Sequence, residues 1–287
     1  MNGRGTAAAA IVAALALAPL GALQFVATVA LRDAGVSGSW VRAMPPATAV
    51  RLEERFDGWA LPPVLRLIVA RRALAEGDLS RTARLLERLP PSADRSALAG
   101  TLAERRGDDN GAIAAYLAAS DVDDVERVVG DLQRHDKIAE ALFNQRALID
   151  HLARDPSQTG ALPEAYYQLG ILEQALAYHM PVGSKARADD ERLALASYQR
   201  ALAYAPLAER YWIAVGNQQL NVADLSGAAV SFRRAIDIDP RSAEGFVGLA
   251  DVAARQGRLR DARALLERAA RIEPNAGSLK RLRARIR

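Results

Sequence analysis

Two copies of one 34-residue unit stand back to back between Leu207 and Pro274. Trp212, Val215, Gly216, Ala228, Phe232, Ala235 and Pro240 recur 34 positions on as Phe246, Leu249, Ala250, Ala262, Leu266, Ala269 and Pro274. Each position keeps its size class. A repeat of this length means stacked supersecondary units, each covering the apolar face of the next. The residue types have packing reasons. Gly216 and Ala250 let the two helices of a hairpin approach closely, and Ala228 and Ala262 do the same from the facing helix. Phe232 and Leu266 fill the groove between hairpins. Pro240 and Pro274 stop the second helix, because a ring nitrogen cannot donate to the helical ladder.

Half of the residues are apolar and 5% are aromatic, which asks for an Ala/Leu-rich helical core. The chain has no cysteine, so disulfides, thiolate metal sites and a Cys nucleophile are excluded. A formal charge of +4 is carried by the tail: Lys280, Arg281, Arg283, Arg285 and Arg287 follow Asn275 with no acid among them. Without those five, 33 basic residues face 34 acidic ones, and no large basic face for nucleic acid is implied.

Residues 1–32 read as an N-terminal membrane anchor. Thr6 to Leu31 is 26 residues without a charged side chain. As a helix it would span ~39 Å at ~1.5 Å per residue, more than the ~30 Å hydrocarbon core. Pro19, Gly21 and Gln24 interrupt it mildly. A cleaved leader is the rival, but its Ala16-Leu17-Ala18 exit is followed by Pro19, and Thr28-Val29-Ala30 comes after too long an apolar run. Arg32, Arg42 and Arg51 after the span outnumber Arg4 before it, which argues for a cytoplasmic C-terminal domain. Long domains translocate largely regardless of such charges, and the reading adopted places the soluble part outside the cytoplasm at the inner membrane.

Residues 33–61 read as a linker, flexible at Gly35 to Ser39 and stiffened by Pro45-Pro46 and Pro62-Pro63 at its edges, with a short helix over Ala47 to Phe56. Residues 62–156 read as degenerate helical hairpins. Within them Gly100, Gly107, Ala112, Tyr116 and Ala119 keep the spacing of Ala250, Gly257, Ala262, Leu266 and Ala269. Residues 157–274 hold the clear repeats, at 163–206, 207–240 and 241–274. In the first of these, Tyr166, Leu169 and Gly170 match one helix and Ala194, Tyr198, Ala201 and Pro206 the other. Twelve residues more than the unit allows lie between Gly170 and Ala194, placed around His179 to Asp190. Residues 275–287 read as a basic capping helix, with Leu279, Leu282 and Ile286 turned to the core.

This pattern resembles the tetratricopeptide repeat: an aromatic, an apolar and a small residue on a first helix, then small, bulky, small and Pro on a second. The resemblance implies an all-α, right-handed α-solenoid of helical hairpins, here preceded by a single transmembrane helix. It also implies that positions 2, 5, 9, 12 and 13 of each first helix line a concave face. In the 163–206 repeat these are Glu164, Tyr167, Ile171, Gln174 and Ala175; next come Arg210, Ile213, Asn217, Leu220 and Asn221; then Glu244, Val247, Asp251, Ala254 and Arg255. The candidate peptide-binding residues are Tyr167, Gln174, Ile213, Asn217, Asn221, Asp251 and Arg255. Family members that grip a C-terminal carboxylate use Lys at position 5 and Asn at position 9. Only Asn217 matches, so that clamp is absent.

Catalytic motifs do not emerge. His135, His151 and His179 stand in different hairpins, and none pairs at metal-ligand spacing on one helical face. There is no Gly-rich phosphate loop and no Ser elbow. The reading is therefore a membrane-anchored, non-catalytic scaffold without cofactor or metal, holding a protein or peptide partner in envelope assembly, secretion or chaperoning. Two alternatives stand beside it: a substrate-presenting subunit of a separate catalytic complex, such as glycan or polymer assembly, and a soluble exported peptide-binding protein if the leader is cleaved. The basic tail reads first as a solvated cap and second as a helix touching anionic lipid.

Overall fold

The structure, a computed structural model, describes residues 63–286. The anchor at 6–31, the linker at 33–61 and Arg287 lie outside the described residues. Among the described residues every regular element is helical, and no helix is long and apolar enough to cross a membrane.

These residues fall into two compact units that divide between Asp124 and Val125. The first unit holds two hairpins: α1 (Pro63–Ala75) with α2 (Leu79–Glu87), and α3 (Ala93–Arg105) with α4 (Asp109–Ala119). The dividing point falls in the first turn of α5 (Val122–Arg134), which is followed by α6 (Ile138–Arg154). A 3₁₀ turn (Pro156–Ala161) leads into α7 (Leu162–His179) and α8 (Lys185–Tyr204). The two consecutive 34-residue copies are α9 (Glu209–Asn221) with α10 (Leu225–Ile238), and α11 (Ala243–Arg255) with α12 (Leu259–Ile272). A last helix, α13 (Gly277–Arg285), packs on α11 and α12.

Helix boundaries follow from local chemistry. Asp78, Ser92, Asp108, Ser184, Asp224 and Ser242 each accept a hydrogen bond from the backbone N–H three residues on, at 2.8–3.2 Å, relieving an orphan donor of the first turn. Helices α8, α10 and α12 all end two residues before a proline, at Pro206, Pro240 and Pro274, because the residue preceding Pro is pushed out of the helical region. The hairpin turns need a left-handed residue. Gly107 and Gly257 supply it at φ +73° and +74°, whereas Asp136 and Ala223 adopt +62° with a side chain in place.

Packing inside three of the hairpins runs through one glycine and one ring. A β-carbon on Gly216 would stand 2.8 Å from Cε1 of Phe232, and one on Gly170 would stand 2.5 Å from Cε1 of Tyr198. In the first unit Gly100 meets Tyr116 at 2.6 Å in the same way, so the degenerate hairpin there is built like the clear ones. Ala112, Ala194, Ala228, Ala250 and Ala262 are fully buried, as small residues at a helix crossing must be. The groove-filling role assigned to Phe232 is therefore double: its ring also closes on Gly248 of the following hairpin, where a β-carbon would come closer still. Leu266, Leu279 and Leu282 share a core with Phe246, and partly buried Ile286 packs against it, so α13 covers the end of the second unit.

Tyr116 is 1% exposed, with its hydroxyl 3.2 Å from Thr101 Oγ1. Burial first, then its hydrogen bond to the nearby Glu104, pushes this phenol from 10 up to about 12. A raised phenol pKa means the neutral form is favoured by folding. Its stabilisation is complete below pH 10 and is lost as the pH climbs from 10 to about 12. The loss corresponds to roughly 2–3 kcal/mol. Urea midpoints of the first unit measured between pH 9 and pH 12 should therefore fall, and Tyr116→Phe should flatten that fall.

Candidate surface for a peptide partner

In the second unit the first helices of successive hairpins are joined side by side by polar bonds. Arg210 of α9 donates to Glu164 of α7, and the Tyr211 hydroxyl lies 3.2 Å from the same carboxylate. Gln174 Nε2 of α7 donates to Gln218 Oε1 of α9 at 3.1 Å. Arg255 Nη1 of α11 donates to the Leu220 carbonyl of α9 at 2.8 Å, and Arg285 of α13 donates to Asp251 of α11. This layer carries the candidate residues.

Tyr167 is half-buried at its centre. Its ring lies 5.6 Å from Tyr198 and 5.4 Å from Tyr211, and the Arg210 guanidinium stands 5.6 Å over it. Burial, reinforced by the negative charge of Glu164, raises the Tyr167 hydroxyl above its ordinary pKa; burial raises that of Tyr211 as well. Both phenols therefore stay neutral donors at physiological pH. Asn217 and Asn221 are exposed on α9, the latter donating to Gln218 Oε1 at 3.0 Å. Gln174 is half-buried and also takes the Tyr198 hydroxyl, at 3.3 Å. Asp251 accepts from Arg255 at 3.1 Å. Ile213 differs from the rest: it is 7% exposed and belongs to the core around Phe232 and Val252, so it supports the face from beneath. The small, apolar and aromatic repeat-defining residues lie in or against the core, while the helix-ending Pro206, Pro240 and Pro274 are exposed; Tyr166, Phe246 and Leu266 are buried, and Trp212 is partly buried with Nε1 donating to the Pro206 carbonyl at 2.8 Å.

Several members of this surface are not visible in the repeat pattern. Gln218, fully buried, is the hub that receives Gln174 and Asn221 and donates to the Glu191 carbonyl at 2.7 Å. Arg285 reads in the sequence as a charge of the tail, although it lies one 34-residue period after Asp251. Glu173, 4% exposed on α7, accepts from Ser197 Oγ at 2.6 Å and pairs with Arg146 at 3.3 Å. The histidines remain apart, but His179 Nε2 sits 3.2 Å from Asp136, a pairing between distant turns that sequence spacing hides. Among the described residues no group of three His, Asp or Glu side chains is placed to hold a metal ion. What the arrangement offers is amide donors and acceptors, stacked phenols and guanidinium forks on a rigid helical layer.

The described residues thus form an all-α helical repeat that resembles the tetratricopeptide repeat. Residues 223–286, from the α9–α10 turn through α13, match the family model described as tetratricopeptide repeat. No curated protein matches the chain by sequence. Solved structures that are similar include that of MamA, 16% identical over 63% of this chain and 92% of that one, with a TM-score of 0.46. A thermophilic repeat protein of Thermus thermophilus is 17% identical over 78% of this chain and 98% of that one, TM-score 0.45. YrrB, described as a repeat protein with an unusual peptide-binding site, is 14% identical over 84% of this chain and all of that one, TM-score 0.44.

Proposed function

We propose that the chain is a non-catalytic scaffold that holds a segment of a partner protein on the first-helix layer of its second unit. One observation carries this reading. The small and aromatic positions that build the hairpins are buried, while Tyr167, Gln174, Asn217, Asn221, Asp251 and Arg255 share one face and stay exposed or half-exposed. Amides and neutral phenols suit a peptide backbone, whose donors and acceptors they match, and the Tyr167 cluster supplies an aromatic anchor. A photoreactive benzophenone side chain in place of Asn217 should therefore crosslink discrete partners in cells, whereas the same group in place of the exposed Arg233, on the second-helix layer, should not. Equal yields from both positions would sink the reading.

The uncharged run at 6–31 would tether this scaffold to the bacterial cytoplasmic membrane, with the repeats on the outer side, which suits work in envelope assembly, secretion or chaperoning. A reporter active only outside the cytoplasm, fused after Arg287, should be active. Inactivity together with a positive cytoplasmic reporter would reverse the orientation and move the partners to the inner leaflet.

A further inference from the structure

We propose that a cleft where α11, α12 and α13 meet binds a carboxylate carried beside an apolar side chain on a peptide. The inference rests on the peptide-holding reading above and adds a specific end to it. Ala254, Arg255, Leu259, Arg285 and Ile286 line the cleft. Its lining divides by chemistry into two guanidiniums and an apolar wall made by Leu259, Ile286 and Ala254. Leu259 is 43% exposed, an unusual amount for a leucine in a helix whose other leucines pack inward.

The charges do not balance inside this cleft. Arg255 Nε and Arg285 Nη2 both donate to Oδ1 of Asp251, whose side chain is 17% exposed. Among the described residues Asp251 is the acid paired with either guanidinium, so one carboxylate serves two cations. A guanidinium has five N–H groups. Arg255 commits Nε to Asp251 and Nη1 to the Leu220 carbonyl, which fixes the plane of its fork. Arg285 commits Nη2 alone. Donors for a second carboxylate remain on both. A planar anion fits such a fork, and desolvation by the apolar wall strengthens the pairing.

The wall also decides between anions. Inorganic phosphate would shed its hydration against Leu259 and Ile286 and gain nothing from them. An anion attached to an aliphatic or aromatic body buries that body there. Position agrees with this. Asp251 and Arg255 belong to the first-helix layer, and Arg285 occupies the equivalent of Asp251 one repeat later, so a peptide lying along Asn217 and Asn221 would bring one end to the cleft. Both a C-terminal α-carboxylate and an Asp or Glu side chain next to an apolar residue have this chemistry.

The test uses the full chain in detergent micelles and three fluorescein-labelled hexapeptides ending in two leucines. The first has a free C-terminal carboxylate, the second is amidated, and the third is amidated with a glutamate before the leucines. Fluorescence anisotropy should show saturable binding of the first or the third, about tenfold tighter than the second; which one binds identifies the source of the carboxylate. Arg285→Gln should weaken that binding about tenfold, and Arg255→Lys, which keeps the charge and loses the fork, should also weaken it. Arg283→Gln, on the exposed side of α13, should leave it unchanged, with helix content by circular dichroism the same in all variants. Equal binding of the three peptides, no saturation by either carboxylate peptide, or indifference to Arg285→Gln would each overturn the inference. Inorganic phosphate displacing the bound peptide as well as N-acetylleucine does would overturn it too. Crosslinking from Asn217 that persists while these peptides fail would leave the scaffold reading standing and remove only this one.

Discussion

Phe232→Ala should cost the second unit about 3–5 kcal/mol, the range for removing a fully buried aromatic ring. The ring is 0% exposed and sits in a core with Ile213, Leu220, Ala228 and Val252. More than area is at stake. Gly216 on α9 and Gly248 on α11 both press against its edge, so the ring is the spacer that sets the approach of one hairpin's two helices and of the next hairpin together. Neither glycine has a side chain to move into the void, and Ala228 and Ala235 along the same helix are too short to fill it, so the cavity cannot collapse cheaply. Hydrogen exchange under urea, followed over residues 209–272, should show both hairpins losing protection together. The converse substitution, Gly216→Leu, forces a side chain into the same ring and should cost ~1–3 kcal/mol by overpacking. Loss confined to α9 and α10 after Phe232→Ala would show that the ring does not couple the two repeats. An unchanged midpoint after Gly216→Leu would refute the register itself.

The sequence made the repeats legible because their packing rule is periodic and steric. Gly216 with Phe232 and Gly170 with Tyr198 are readable as small against large at fixed spacing, and the prolines mark the helix ends. The weaker hairpin at Gly100 and Tyr116 obeys the same rule because spacing, not residue identity, is what a close helix crossing demands. Contacts between repeats are a different matter. Gly248 touches Phe232 across a hairpin boundary, and its position in the unit is occupied by Ala214 one repeat earlier, so no periodic signal points to it. The candidate face was half legible. The family resemblance located Tyr167, Asn217 and Asp251, but a positional rule cannot tell which of its positions dip inward, and Ile213 does. Polar partners such as Gln218, Glu173 and His179 depend on which turns meet in space, and a one-dimensional pattern carries no record of that. Arg285 illustrates the limit well. Its charge reads as tail and its register reads as repeat; the structure shows both, with the apolar stripe of α13 buried and this one cation turned onto Asp251.

Gln218→Leu should destabilise the second unit by about 2–3 kcal/mol, and the damage should appear first in the inserted segment. The twelve extra residues of the 163–206 repeat lengthen two helices instead of forming a free loop. Helix α7 runs nine residues past Gly170, where α9 stops five past Gly216; α8 begins nine before Ala194, where α10 begins three before Ala228. Five connecting residues replace three. The extended start of α8 is tied down at few points. Ser184 caps it, Arg187 pairs with Glu191 at 2.9 Å and lies 5.4 Å over Tyr178, and Gln218 Nε2 of α9 donates to the Glu191 carbonyl. Only the last of these bonds reaches α8 from another hairpin, and Gln218 is fully buried. Leucine matches its bulk but deletes the donor to Glu191 and the acceptor for Gln174 and Asn221, leaving polar groups without partners. Amide exchange over residues 185–192 should accelerate well before that of α10, and Gln218→Glu, which keeps an acceptor for Gln174 and Asn221 but buries a carboxylate against the Glu191 carbonyl, should accelerate it at least as much. Uniform acceleration across α7 to α10 in both variants would mean that the extension is held by its apolar packing, with Gln218 an ordinary core residue.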